Sequence, residues 1–85
     1  MRRIHSEIMP RETVEEIGAG YRVGIVFRPT GEVRLGDTLI LLAFPRSGSD
    51  PVWEGIVTEV MWVTQARDCP GLMDGYVLVT AEAMS

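Results

Sequence analysis

This chain of 85 residues contains no lysine and no asparagine, and only one cysteine and one histidine. Each scarcity closes a class of chemistry. All eight basic residues are arginine, so no amine is available for a Schiff base or as a lysine general base. Cys69 has no partner for an intramolecular disulfide, and Cys69 with His5 falls short of a Cys/His zinc site, so neither a metal nor a cofactor is expected. The cysteine usage fits a reducing, cytoplasmic setting. No apolar run approaches the ~20 residues of a membrane helix. Met1-Arg2-Arg3-Ile4-His5-Ser6-Glu7 turns polar too early for a signal peptide, which predicts a soluble protein not exported by that route. The joint loss of lysine and asparagine, both served by AT-rich codons, is the mark of a GC-rich coding sequence.

Residues 1–85 are expected to form a single domain, and a chain of this size buries only roughly 60–65% of the surface its unfolded form exposes. The core must therefore be thin. With 46% hydrophobic residues, including two each of Trp, Tyr and Phe, disorder is not expected, and a core this small is expected to recruit the two tryptophans.

Gly36-Asp37 feeds the apolar run Thr38 to Phe44 and marks a turn into a strand covered on both faces. Residues 2–8 alternate, with Ile4, Ser6 and Ile8 on one face and His5 and Glu7 on the other, as in a half-buried strand. Pro10 suits the first turn of a helix over 10–18, which buries Val14 and Ile17, turns Arg11, Glu12, Glu15 and Glu16 outward, and is closed by Gly18. Val23, Ile25 and Val26 argue for a strand over 21–28, ended by Pro29-Thr30-Gly31. The stretch 45–51 reads as a loop. Residues 52–64 are too long and mixed for a flat strand, so a bulge is expected near Gly55. A loop over 65–74 precedes a last strand over 75–81. The expectation is an α+β fold, a small five-stranded barrel-like sheet with one packed helix.

That order of motifs resembles ASCH-like domains of the PUA-related superfamily, nearest to a small branch common in phages and mobile elements. The resemblance rests on the early strand, the glycine-ended helix, the arginine-bearing strand, the Gly-Asp turn, Trp53-Glu54-Gly55, and Gly71-Leu72 through Gly75-Tyr76-Val77-Leu78-Val79. It implies a small barrel with a packed helix and a cleft proposed in several relatives to meet RNA or a modified nucleoside. The family's Gly-x-Lys-x-x-Glu-x-Arg run is degraded here. Gly20 matches, Arg22 replaces the lysine, Ile25 replaces the glutamate, and Arg28 falls one residue late. An arginine cannot act as a base near neutral pH, so the hydrolytic route of that family is not expected and the protein reads as a non-enzyme. His5, beside no evident nucleophile, reads as a strand residue.

Two functional readings follow. The net charge of −4 and the crowding of Glu12, Glu15 and Glu16 on one helix, with Asp50 and Glu54, suggest an acidic protein-binding face. Glu16 sits in the last turn, where the helix dipole disfavours it, so local stability did not select it. With the phage-type resemblance, this face suggests an inhibitor that engages the basic surface of a nucleic-acid-handling host complex, as an anti-CRISPR protein would. The alternative is an RNA-binding module in which Arg22 and Arg28 meet phosphates and Tyr21, Trp53 and Tyr76 stack on bases.

Overall fold

The computed structural model describes residues 3–45 and 53–84. Five strands, β1 (Ile4–Met9), β2 (Val23–Phe27), β3 (Thr38–Ala43), β4 (Glu54–Gln65) and β5 (Val77–Ala83), form one mixed sheet in the order β1-β3-β4-β5-β2. β1 and β3 are parallel and the other pairs antiparallel. The sheet curls into a half-barrel, open between its two edge strands β1 and β2.

The helix α1 (Arg11–Gly18) links the end of β1 to the start of β2 and packs on the inner face of the sheet. Val14 and Ile17, one turn apart, are its buried pair. Its stop lies two residues beyond Gly18. Tyr21 N–H bonds to the Glu16 carbonyl and Gly20 N–H to that of Ile17, with Gly20 at φ +99°, which is a Schellman ending. Gly18 is simply the last helical residue.

Ile17, Leu39, Leu41, Val60 and Val79 form the centre of the core. Thr58 is buried among them, its hydroxyl donating to the Leu39 carbonyl at 2.6 Å. Neither tryptophan contributes, since Trp53 and Trp62 are both exposed; small β-branched and aliphatic side chains suffice under one short helix. Among the described residues β3 is covered on one face only, because α1 packs on the inner side of the sheet and no described element packs on the outer side. In β1, His5, Glu7 and Met9 share the inner face with Leu39, Leu41 and Ala43, whereas Ile4 and Ile8 face solvent.

The irregularity in β4 falls between Val60 and Trp62 rather than near Gly55. Gly55 has a different reason to be glycine: a Cβ there would stand 2.7 Å from Leu42 Cδ2 and 3.0 Å from the Leu41 carbonyl oxygen. The segment after β4 includes a short 3-10 turn, Ala66–Asp68, and β5 runs two residues past the expected end. The loop expected over 45–51 lies, after Pro45, outside the described residues.

Register divides the molecule into two ends. Met9, Val23, Ala43, Glu54 and Ala83 lie at the helix end; Ile4, Phe27, Thr38, Gln65 and Val77 lie at the opposite, turn end.

Candidate functional site

The turn Arg34-Leu35-Gly36-Asp37 closes with Asp37 N–H on the Arg34 carbonyl at 3.1 Å, and Gly36 takes the positive φ, +85°, that its third position requires. This turn delivers the Asp37 carboxylate, 2% exposed, into the base of the fold. One oxygen accepts the Arg3 N–H at 3.1 Å; the other accepts the Arg34 N–H at 2.9 Å and lies 3.0 Å from His5 Nε2. The Asp37 carbonyl accepts Val60 N–H at 2.9 Å, so this residue joins β1, β3 and β4. Burial alone would raise its pKa. The His5 hydrogen bond, the two backbone donors and the His5 charge outweigh burial and hold it at about 2.

An ionised carboxylate only accepts, so His5 must present N–H at Nε2 to Asp37. Nδ1 makes no hydrogen bond within the described residues, and no buried side-chain nitrogen or oxygen among them lacks one. A cleft of about 330 Å³ lies in the seam between the edge strands, lined by His5, Glu7, Phe27, Arg28 and Thr30 among others. Desolvation raises the Glu7 pKa. The seam thus combines an imidazole, a carboxyl group, a hydroxyl and a guanidinium around an apolar base. Ser6 alternates to the opposite face of β1 from His5, so the imidazole gains no serine nucleophile.

The five residues expected to form an arginine and aromatic cleft fall in three places. Arg28 lines the seam, and its guanidinium lies beside Gly75, next to the half-buried Tyr76. Tyr76 borders a second hollow, about 290 Å³, on the other side of the 29–33 segment. Tyr21 and Arg22 sit at the far end of β2, about 20 Å along the strand from Arg28, where Arg22 meets Glu82 at 3.4 Å. Trp53 is at the start of β4 against Phe44, with ring centroids 6.1 Å apart. The five residues of β2 separate Arg22 from Arg28, which is why one cleft cannot hold both.

Of the acidic set, Glu12, Glu15 and Glu16 are exposed on α1 and make no ion pair among the described residues. Glu54 is bound by Arg11, which also donates to the Phe44 carbonyl at 2.7 Å. Asp50 lies outside the described residues. These acids belong to the helix end. The turn end carries the exposed arginines Arg3, Arg28, Arg34 and Arg67 together with the acids Glu7, Glu32, Asp37, Asp68 and Asp74, so charges of both signs surround the seam.

His5 and Asp37 were not among the candidate site residues of the sequence. The Gly-Asp turn marked a strand entrance, and alternation in β1 separated two faces without saying which is inner. Pairing of residue 5 with residue 37 arises only from the parallel contact of β1 and β3.

Among the described residues no group of three His, Cys, Asp or Glu side chains stands ready for a metal, and no helix is long and apolar enough to cross a membrane. No protein-family model matches the chain, and no curated protein matches it in sequence.

Proposed function

We propose that this chain is a non-enzymatic RNA-binding module that takes a single-stranded segment at the seam between β1 and β2. The observation that carries the reading is the seam itself, a cleft lined by Arg28 together with His5, Glu7 and Thr30 over Phe27. Its volume is in the lower part of the range usual for small-ligand pockets, enough for one base. Arg28 serves the phosphate, Tyr76 offers a partial platform nearby, and His5 with Glu7 reads a hydrogen-bonding edge. The ASCH-like order of motifs supports the same use.

The test is an anisotropy titration with a pool of short single-stranded RNAs at low and moderate salt. Binding should weaken with salt, and Arg28→Ala should reduce affinity about 5- to 10-fold and flatten the salt slope, whereas Arg22→Ala at the far end of β2 should stay within about 2-fold. Equal losses in both variants would remove the seam from the mechanism.

One observation favours a second reading: the three unpaired glutamates of α1. In this reading the helix end is a docking face for a basic protein surface, and the domain inhibits a nucleic-acid-handling complex by occupying its nucleic-acid site, in the manner of a phage anti-CRISPR protein. Glu15→Arg combined with Glu16→Arg should abolish capture of such a complex from a bacterial lysate while leaving the thermal midpoint within a few degrees, since both side chains are exposed. Capture that survives the double reversal would eliminate this face.

A further inference from the structure

The segment that leaves β2, Pro29-Thr30-Gly31, is a divide between two hollows. One is the seam; the other, of about 290 Å³, is lined by Gln65, Gly75 and Tyr76 with the buried Val33 and Val77. Pro29 and Thr30 line both, and no other residue does. One run of backbone therefore separates two cavities, each near the lower end of the size range for small ligands.

Two guanidinium groups flank this divide. Arg3 Nη1 lies 3.2 Å from the place a Gly31 Cβ would occupy, and Arg28 Nε lies 3.7 Å from the corresponding place at Gly75. Both glycines line the second hollow, whereas Arg28 lines the seam, so the Arg28 side chain spans from one cavity to the rim of the other. Among the described residues neither Arg3 nor Arg28 has a carboxylate within ion-pair distance. The one acid lining the second hollow, Glu32, is already held by Arg34 at 2.9 Å.

We propose that the divide is the seat of one dinucleotide step of single-stranded RNA, with its two bases splayed into the two hollows and Arg28 on the phosphate that joins them. Arg3 meets the phosphate on the 5′ side of the step. The inference rests on the RNA-binding reading of the seam and adds the smallest ligand that fills the site. Two free guanidinium groups beside paired cavities suit alternating phosphates and bases, because a guanidinium matches phosphate oxygens two at a time. In the second hollow Val33, Val77 and Tyr76 offer apolar surface to a base, and the Gln65 amide carries both a donor and an acceptor for its edge. Bases stacked in a duplex cannot straddle a run of backbone, whereas unstacked bases of a single strand can.

The test uses pools of 5′-phosphorylated mono-, di- and tetranucleotides of RNA, followed by amide chemical shifts and by titration. Dinucleotides should bind at least about 10-fold more tightly than mononucleotides, because the second base is held at a high effective concentration, and tetranucleotides should gain less than about 3-fold more. Resonances of both His5 to Glu7 and Gln65 to Val77 should move with dinucleotides. Arg3→Ala and Gln65→Ala should each weaken dinucleotide binding about 3- to 10-fold with the circular-dichroism spectrum unchanged. Arg3→Ala keeps the backbone bonds of residue 3 to Asp37 and Thr38. Tetranucleotides that bind through Arg28 but leave Gln65 to Val77 unmoved would overturn the two-hollow seat while the seam reading stands. No binding of any of these RNAs would overturn both.

Discussion

Asp37→Ala is expected to destabilise the fold by about 3–4 kcal/mol, because it leaves the N–H groups of Arg3 and Arg34 and the Nε2 of His5 without their acceptor in a buried site. For a domain of this size that corresponds to a fall in Tm of at least about 12 °C. The same carboxylate makes stability acid-sensitive. Its folded pKa of about 2 lies below the ordinary 3.8, so its contribution is complete above about pH 5 and is lost as the pH falls through 4 towards 2. The loss amounts to about 2 kcal/mol. Urea denaturation of the unaltered protein between pH 6 and 2.5 should show this decline, and Asp37→Asn should flatten it. A Tm shift under a few degrees for Asp37→Ala, with an unchanged acid profile, would show that the buried cluster is not what ties β1 to β3 and β4.

Ile17→Ala should cost about 2–5 kcal/mol, the range for removing a fully buried branched side chain whose cavity cannot collapse. Ile17 is fully buried, and with Val14 it is the whole of the inner contact that α1 makes through buried side chains. An eight-residue helix is not stable alone in water, so α1 exists because the sheet accepts these two residues. The expected result is a lower urea midpoint together with loss of hydrogen-exchange protection along α1 before β3. If α1 kept native protection in the variant, the helix would be held by its Schellman ending and the Arg11 bonds instead.

How far the sequence could be read varies with the range of the interaction. The five strands, the single helix and its Val14/Ile17 face follow from periods of two and about four residues. Those patterns are local and the structure keeps them. The bulge moved from Gly55 to the Val60/Trp62 step because register, not composition, decides where a long strand must yield to its neighbours. Gly55 looked like a bulge glycine, but it is demanded by the approach of Leu42. Gly18 looked like a helix stop, but the residue that must turn left-handed is Gly20.

The candidate site shows the same division. Arg28 lies beside Gly75, next to Tyr76, because β2 and β5 are paired, while Tyr21 and Arg22 stay at the other end of β2. Trp53 stands apart with Phe44, and Glu54 is held by Arg11. Apart from the adjacent Tyr21 and Arg22, none of these groupings is visible in chain order.

By itself the sequence determined a small α+β fold. It also excluded lysine chemistry, a disulfide within the chain and a Cys/His zinc site, since these depend on which side chains exist. Only the tertiary structure decided that the polar side of β1 faces inward and that His5 meets Asp37 beside an open seam. The reason is physical: alternation defines two faces of a strand, but the inner one is chosen by what packs against it, here a helix too short to cover more than one side.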